Sequence, residues 1–453
     1  TTANHNVGVG YYALLANTTG TNNVGLGNYA IDANTTGHSN VAVGYNALTS
    51  NTTADNNTAV GDSALAVNTT GIRNTAVGWG SLYSNTTAGY NTGIGGYALY
   101  DNTTGHSNVA VGWSSLGDNT TADYNTAVGN DAMRLNTTGT KNVGLGYAAL
   151  YSNTTGSDNT AVGADCLDAA TTADYNVAVG RGTLGATTTG YQNTALGCTS
   201  MLFNTTGYQN VGVGFDSVKD NTTGYMNTGI GREALKSNTT GNVNVAIGSE
   251  CFKSSTTASD NVGVGSEAGE ATTTGAGNVY VGRAAGKVAE TAYYNVAIGT
   301  EAGLALSSGH NNLLLGASAG RSNSPSGDIS SHNDRICLGD NSITDSYIKV
   351  DWTVTSDERD KTDIQDITTG LAFVNQLKPK SFWFRKERGS DVKHGDKRLG
   401  FLAQEILALE GSDPIIIDNE DEDNLKYKGE HLVPILVNAI KELSAEVNAL
   451  KAK

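Results

Sequence analysis

Proline is nearly absent from this chain, with 4 residues among 453, against 57 glycines. That scarcity excludes a proline-rich linker, and glycine does not recur at every third position as a collagen helix requires. No run of eighteen apolar residues occurs, so no membrane span is expected. Basic charge is short as well. The formal net charge is −16, the wrong sign for neutralising phosphates, so no nucleic-acid partner is expected. The four cysteines, Cys166, Cys198, Cys251 and Cys337, stand far apart without metal-type spacing. No metal or other cofactor is expected. Aromatic residues make up 7% and hydrophobic residues 38% of the chain, enough for a core built from small side chains.

Asparagine, threonine and glycine are abundant, and they recur on a fixed clock. Asn6-Val7-Gly8-Val9-Gly10 is followed 17 residues later by Asn23-Val24-Gly25-Leu26-Gly27 and then by Asn40-Val41-Ala42-Val43-Gly44. The count runs without a slip to Asn312, giving nineteen copies, and a weaker twentieth falls near Asp334–Gly339 after an insertion. With the Asn as slot 1, slot 2 is Val or Thr in all copies but the last. Slot 3 is Gly or Ala in all but two, slot 4 is always aliphatic, and slot 5 is always Gly. Slot 8 is small. Slot 9 is apolar through Phe252 and then becomes Gly, and slots 12 to 15 usually read Asn-Thr-Thr-Gly or Asn-Thr-Thr-Ala.

Slots 2 to 4 read as a short strand with alternate residues inward, and slot 5 as a corner where glycine permits positive φ. The Asn-Thr-Thr block is turn chemistry. One copy is thus one coil of a solenoid, with like residues stacked in Asn ladders and aliphatic columns. At a strand spacing of ~4.8 Å, nineteen coils would rise roughly 90 Å. A single coil looks too thin to bury much, so chains are expected to pack together over slots 4 and 9. Cys166 and Cys251 fall in slot 8 and read as inert small thiols. The Gly-x-Gly corners lack a βαβ context and so do not bind nucleotides. The Asn-Thr-Thr blocks read as turns rather than glycosylation sites. Variable slots hold many tyrosines, including Tyr11, Tyr45, Tyr90, Tyr124, Tyr175, Tyr191 and Tyr208. They read as ladder stacking, with receptor binding as the alternative.

The Asn-[Val/Thr]-[Ala/Gly]-aliphatic-Gly core, over about residues 3–320, resembles the head repeats of trimeric autotransporter adhesins. That resemblance implies a parallel β-roll with three chains side by side. The period here is longer than those heads usually show.

Near residue 350 the composition changes. Residues 1–350 hold 13 Lys and Arg with 24 Asp and Glu, whereas residues 351–453 hold 15 and 20. The rhythm stops, and Asp351–Thr355 reads as a strand. Then come Ser356-Asp357-Glu358-Arg359-Asp360-Lys361, Leu377-Lys378-Pro379, Gly400-Phe401-Leu402-Ala403-Gln404-Glu405 and a C-terminal helix with Ile440-Lys441-Glu442-Leu443. These ordered blocks resemble the endosialidase-type intramolecular chaperone autoproteases of phage tail fibres and tail spikes. The resemblance implies a trimerising domain that guides fibre folding and cuts itself off. It makes Ser356 the nucleophile, Lys361 the base and Thr355–Ser356 the scissile bond. Relatives often carry His before the Gly-Phe, where Arg398 stands here. Chemistry agrees: a serine hydroxyl needs a base, and lysine serves only when desolvated or crowded by cations. Burial between subunits would tie cleavage to assembly. The bland alternative makes Ser356 a helix cap and Lys361 a surface charge.

Glu405 is a candidate to orient a dyad member or to pair with Arg359, and Arg398 a candidate to tune the dyad. Lys378–Arg398 reads as a solvated hairpin and Asp418–Asp423 as a solvated acidic loop. Leu436, Ile440, Leu443, Val447 and Leu450 form a heptad seam, with Pro434 in the helix's first turn. The seam could join three helices or pack on its own domain.

The expected architecture is mainly β. A trimeric parallel β-roll or β-solenoid shaft spans 1–320 and a neck spans 321–355. A small α+β chaperone domain, ending in a coiled-coil helix, spans 356–453. The expected function is a virion tail fibre that attaches to a host receptor, either glycan or surface protein, and joins upstream tail proteins. It would be extracellular once assembled in the host cytoplasm. The alternative is a cellular trimeric surface adhesin using the same assembly domain. The chain begins inside the repeat, as a fragment or processed form would. The shaft's scattered acids form no carboxylate pair for glycan cleavage, so enzymic activity is expected only as one self-cleavage.

Overall fold

The computed structural model describes residues 2–349, 354–385 and 388–452. Two compact units divide it, one of residues 1–319 with 329–338, the other of residues 320–328 with 339–453.

The first unit is a β-solenoid. Each copy of the repeat contributes one three-residue strand from slots 2 to 4, running from β1 (Val7–Val9) and β2 (Val24–Leu26) to β19 (Leu313–Leu315). Every strand pairs in parallel with the next coil in strict 17-residue register, as in Val7↔Val24, Gly8↔Gly25 and Val9↔Leu26. The twentieth copy also forms. β20 (Ile336–Leu338) pairs with β19 across the insertion, Leu313 with Ile336.

Two asparagine ladders hold the coils. At slot 1, each side-chain oxygen accepts the backbone N–H of the next slot-1 Asn, as Asn125 Oδ1 accepts from Asn142 N at 2.9 Å. The same Asn142 donates Nδ2 to the Gly156 carbonyl at 2.8 Å. That column is unbroken from Asn6 to Asn312. At slot 12, Asn136 donates Nδ2 to Asn119 Oδ1 at 2.9 Å and to its own coil's Gly139 carbonyl at 3.0 Å. This second ladder lapses at Ala170 and Thr187 and again from Ser255 to Leu306, where the residue type changes. Buried amides can be this numerous because nearly every one is satisfied by its neighbour.

The slot-5 glycine is required by close approach. Gly163 has φ +138°, and a Cβ there would stand 2.5 Å from the Gly180 carbonyl oxygen of the next coil. No larger residue fits that corner.

The expected burial of slot 9 between chains is corrected. Slot 9 is fully buried within one chain, as at Leu48, Leu65, Leu82 and Leu99. Its backbone is left-handed, even at the β-branched Ile31 (φ 50°) and Val218 (φ 51°). This is an unfavoured conformation that turns the side chain into the coil. Slots 3 and 8 complete the core. Slots 2 and 4 lie on the outer side of the strand, with Val9 60%, Leu196 48% and Ile298 41% exposed. Where slot 9 becomes glycine, slot 3 enlarges in two of the four coils. The buried Tyr280 ring occupies the space beside Gly269 and Gly286, and Leu314 that beside Gly303. Burial pushes the Cys166 and Cys251 thiols up to about 12, in keeping with inert slot-8 packing.

The second unit is a small α+β region. It contains α1 (Leu371–Val374), an antiparallel hairpin of β21 (Lys380–Arg385) and β22 (Lys393–Gly400), and α2 (Ala403–Glu410). A second hairpin of β23 (Ile417–Asp418) and β24 (Lys426–Tyr427) precedes α3 (Leu432–Lys451). Ile406, Ile416, Ile417 and Leu432 form its buried core, packed by Phe373, Leu377, Phe401 and Ile435. The β21–β22 hairpin agrees with the solvated-hairpin reading of 378–398. Of the strand expected over 351–355, residues 351–353 lie outside the described residues, while Val354 and Thr355 are irregular. Among the described residues, no helix is long and apolar enough to cross a membrane.

Candidate active site

Ser356 opens a short turn that brings Lys361 back to it. Asp357 caps the turn with extended backbone (φ −68°, ψ 135°), its carboxylate accepting from Arg359 N at 2.9 Å. Glu358–Asp360 form one 3-10 turn, closed by Lys361 N donating to the Glu358 carbonyl at 3.1 Å. Five residues of separation therefore become direct contact. Lys361 Nζ donates to Ser356 Oγ at 2.7 Å and to the Ser356 carbonyl at 3.0 Å.

Arg359 doubles the cap. Its guanidinium meets Asp357 through Nε at 3.0 Å and Nη2 at 2.6 Å. This pairing, with the backbone bond from Arg359, holds the Asp357 carboxyl below the usual carboxylate range. Thr355, Ser356 and Lys361 are all exposed in the single chain. The hydroxyl and amine are thus aligned but open to water.

Of the supporting candidates, Arg359 lies in this turn, whereas Glu405 and Arg398 find their partners elsewhere. Glu405, in the first turn of α2, lies 3.6 Å from Lys380 Nζ, and its other oxygen is buried without a hydrogen-bond partner. Arg359 pairs with Asp357 instead, because a partner two residues away needs no tertiary placement. Arg398 donates Nη2 to the Thr344 carbonyl at 2.7 Å and lies over the Phe384 ring. Its strand position across from Phe382 directs it to that hairpin. The acidic segment 418–423 folds on itself, Asp421 accepting from Asp423 N at 3.0 Å and Asn424 Nδ2 at 2.7 Å. Among the described residues, no group of three or more His, Cys, Asp or Glu could hold a metal ion.

Sequence reasoning missed three anchoring side chains. Glu410 gathers the backbone N–H groups of Ile415, Ile416 and Ile417 at 2.8, 2.6 and 2.9 Å, fixing the turn into β23. Glu442 of α3 accepts from Leu371 N at 2.6 Å, standing in for the cap that Gly370 cannot provide. Asn438 donates to the Thr369 carbonyl at 3.1 Å. The two α3 residues act across about seventy positions, so local pattern could not announce them. These bonds dock α3 by its Asn438–Glu442 side and leave the seam out: Ile440 is 66% and Leu450 70% exposed.

Residues 356–410 match the family model described as chaperone of endosialidase, a family of autoproteolytic intramolecular chaperones. The match begins at Ser356 itself. No curated protein matches the chain. The molecule thus carries, beyond a β-solenoid, a segment of an assembly-domain family.

Proposed function

We propose that residues 356–453 gather three copies of the chain, set their shafts in register and then cut themselves off at Thr355–Ser356. The product is a virion tail fibre that attaches to a host surface. The observation that carries the cleavage is the 2.7 Å contact of Lys361 Nζ with Ser356 Oγ at the first residue of the family match. In the reaction, Ser356 Oγ adds to the Thr355 carbonyl carbon while its proton passes to Lys361 Nζ. The Thr355–Ser356 C–N bond then breaks, Ser356 N takes a proton, and water hydrolyses the resulting ester. Lysine accepts a proton only as a neutral amine, a form favoured by desolvation. The dyad is solvent-open in one chain, so enclosure between copies would switch it on.

Two apolar surfaces support a trimer. The α3 seam has no cover within its own unit. On the shaft, nineteen aliphatic slot-4 side chains with the Val and Thr of slot 2 make a continuous outward wall. Repeats that match at every coil can also pair out of step at little local cost, so a terminal clamp has a clear task. Upstream tail proteins and a host receptor complete the reading. Placement outside the cell follows from it, with assembly in the host cytoplasm beforehand.

A denaturing gel of freshly expressed protein tests it. Two fragments are expected, the smaller near a hundred residues, while Ser356→Ala and Lys361→Ala each give one uncut band of 46.8 kDa. A wild-type chain that assembles as a trimer yet stays whole would end the cleavage reading.

A further inference from the structure

The corner that follows each slot-5 glycine carries an ordered row of rings. Tyr11, Tyr45, Trp79, Trp113 and Tyr147 occupy slot 6 of alternate coils, each 34 positions after the last, and each is at least half exposed. Between them stand the short residues Asn28, Asp62, Gly96 and Asn130. The alternation is steric in part, since a Cβ on Gly96 would lie 2.7 Å from the Trp113 ring.

Four of these rings are held in place. Tyr29, from the intervening coil, stands edge-on between Tyr11 (5.6 Å, 85°) and Tyr45 (6.1 Å, 87°). Tyr97 stands likewise between Trp79 (4.4 Å, 70°) and Trp113 (5.2 Å, 84°). The second triad repeats the first 68 positions on, residue for residue (Tyr11 and Trp79, Tyr29 and Tyr97, Tyr45 and Trp113). Such edge-to-face wedging fixes outer rings that solvent alone would leave free. The later coils use the same corner differently: Lys219, Lys236 and Lys253 pair there with Asp216, Glu233 and Glu250.

We infer that this row is a binding platform for an extended, β-linked, uncharged or amino-sugar glycan, laid along the solenoid. The inference rests on the host-attachment reading and names its ligand. Rings two coils apart are separated by about 9.5 Å along the stack, the order of the disaccharide repeat of an extended β-linked chain. Pyranose faces present C–H groups to the rings, and Asn28, Asp62 and Asn130 offer hydrogen bonds to hydroxyls. A protein partner would not call for that strict alternation of ring and short residue. Acidic glycans fit poorly, because residues 1–153 hold seven Asp against only Arg73, Arg134 and Lys141.

The probe is chitohexaose, titrated into the assembled wild-type protein with tryptophan emission and calorimetry as readouts. Trp79 and Trp113 are two of its 4 tryptophans. Binding with an emission shift is expected, and none with the coiled α-linked maltohexaose. Trp79→Ala/Trp113→Ala should weaken binding at least tenfold with assembly unchanged by light scattering. Failure of chitohexaose, cellohexaose and β-mannohexaose alike would overturn the inference, as would equal binding by the double variant. Loss of assembly in that variant would assign the row to an interface between copies and overturn it too. Cell adsorption separates the two readings. A fibre that adsorbs equally with and without Trp79 and Trp113 keeps the attachment reading and discards this site. Glycan binding without adsorption to any cell does the reverse.

Discussion

The solenoid and the C-terminal region solve the same problem, an excess of polar backbone and too little apolar mass, in opposite ways. In the solenoid each coil completes the next. Asparagine side chains, strand ladders and slot-9 side chains close an interior within one chain, leaving the slot-2 and slot-4 wall and the slot-6 rings outside. The C-terminal region builds a core around a few isoleucines and leaves its longest helix with an exposed heptad seam. Repetition satisfies the solenoid internally, whereas the C-terminal region keeps an apolar helix face unspent.

The sharpest way to break this contrast is to charge the seam. Ile440→Asp with Leu443→Asp should abolish trimer formation and, through it, Thr355–Ser356 cleavage, read by light scattering and denaturing gel. Assembly and cutting that survive would mean the seam has another purpose.

A cut in the shaft should act locally instead. Asn142→Ala orphans the buried Asn159 N–H and removes one of two donors to the Gly156 carbonyl, which keeps Asn153 Nδ2. Each lost buried partner costs ~1–3 kcal/mol. Reduced thermal stability is expected while the C-terminal region still trimerises. The melting temperature and particle mass, taken together, check this.

The smallest effect is a pH dependence confined to the ion-paired coils. Lys253, then Lys236, hold the nearly buried Glu233 carboxyl down to about 2. Because the folded value lies below the ordinary one, the stabilisation is complete above about pH 4.3 and is lost as pH falls toward 2. Melting curves between pH 5 and pH 2 should show a shallower acid loss in Glu233→Gln than in wild type.

Much of this architecture was legible. A 17-residue period with an invariant corner glycine admits few structures besides a stacked coil, and the Asn column announces its own hydrogen bonds. Which side of the strand faces inward was not legible. Period-two alternation tells that slots 2 and 4 share a side but not which side, and slot 9 enters the core only through a left-handed backbone that Leu or Ile rarely adopts. At the candidate site, the Ser356 and Lys361 pairing could be anticipated because a single capped turn joins them. Glu405 and Arg398 could not be placed, since Lys380 and Thr344 reach them through tertiary folding, and proximity in motif order is no guide to proximity in space.

The alternation of slot-6 rings has a hereditary consequence. Gain or loss of a whole 17-residue unit preserves the strand register and the slot-1 Asn column, so heritable change in length carries little structural risk. Between Tyr11 and Tyr147 that freedom is halved. Losing the Gly96 unit alone would stack two indoles on adjacent coils, so heritable length change in this stretch should proceed in pairs.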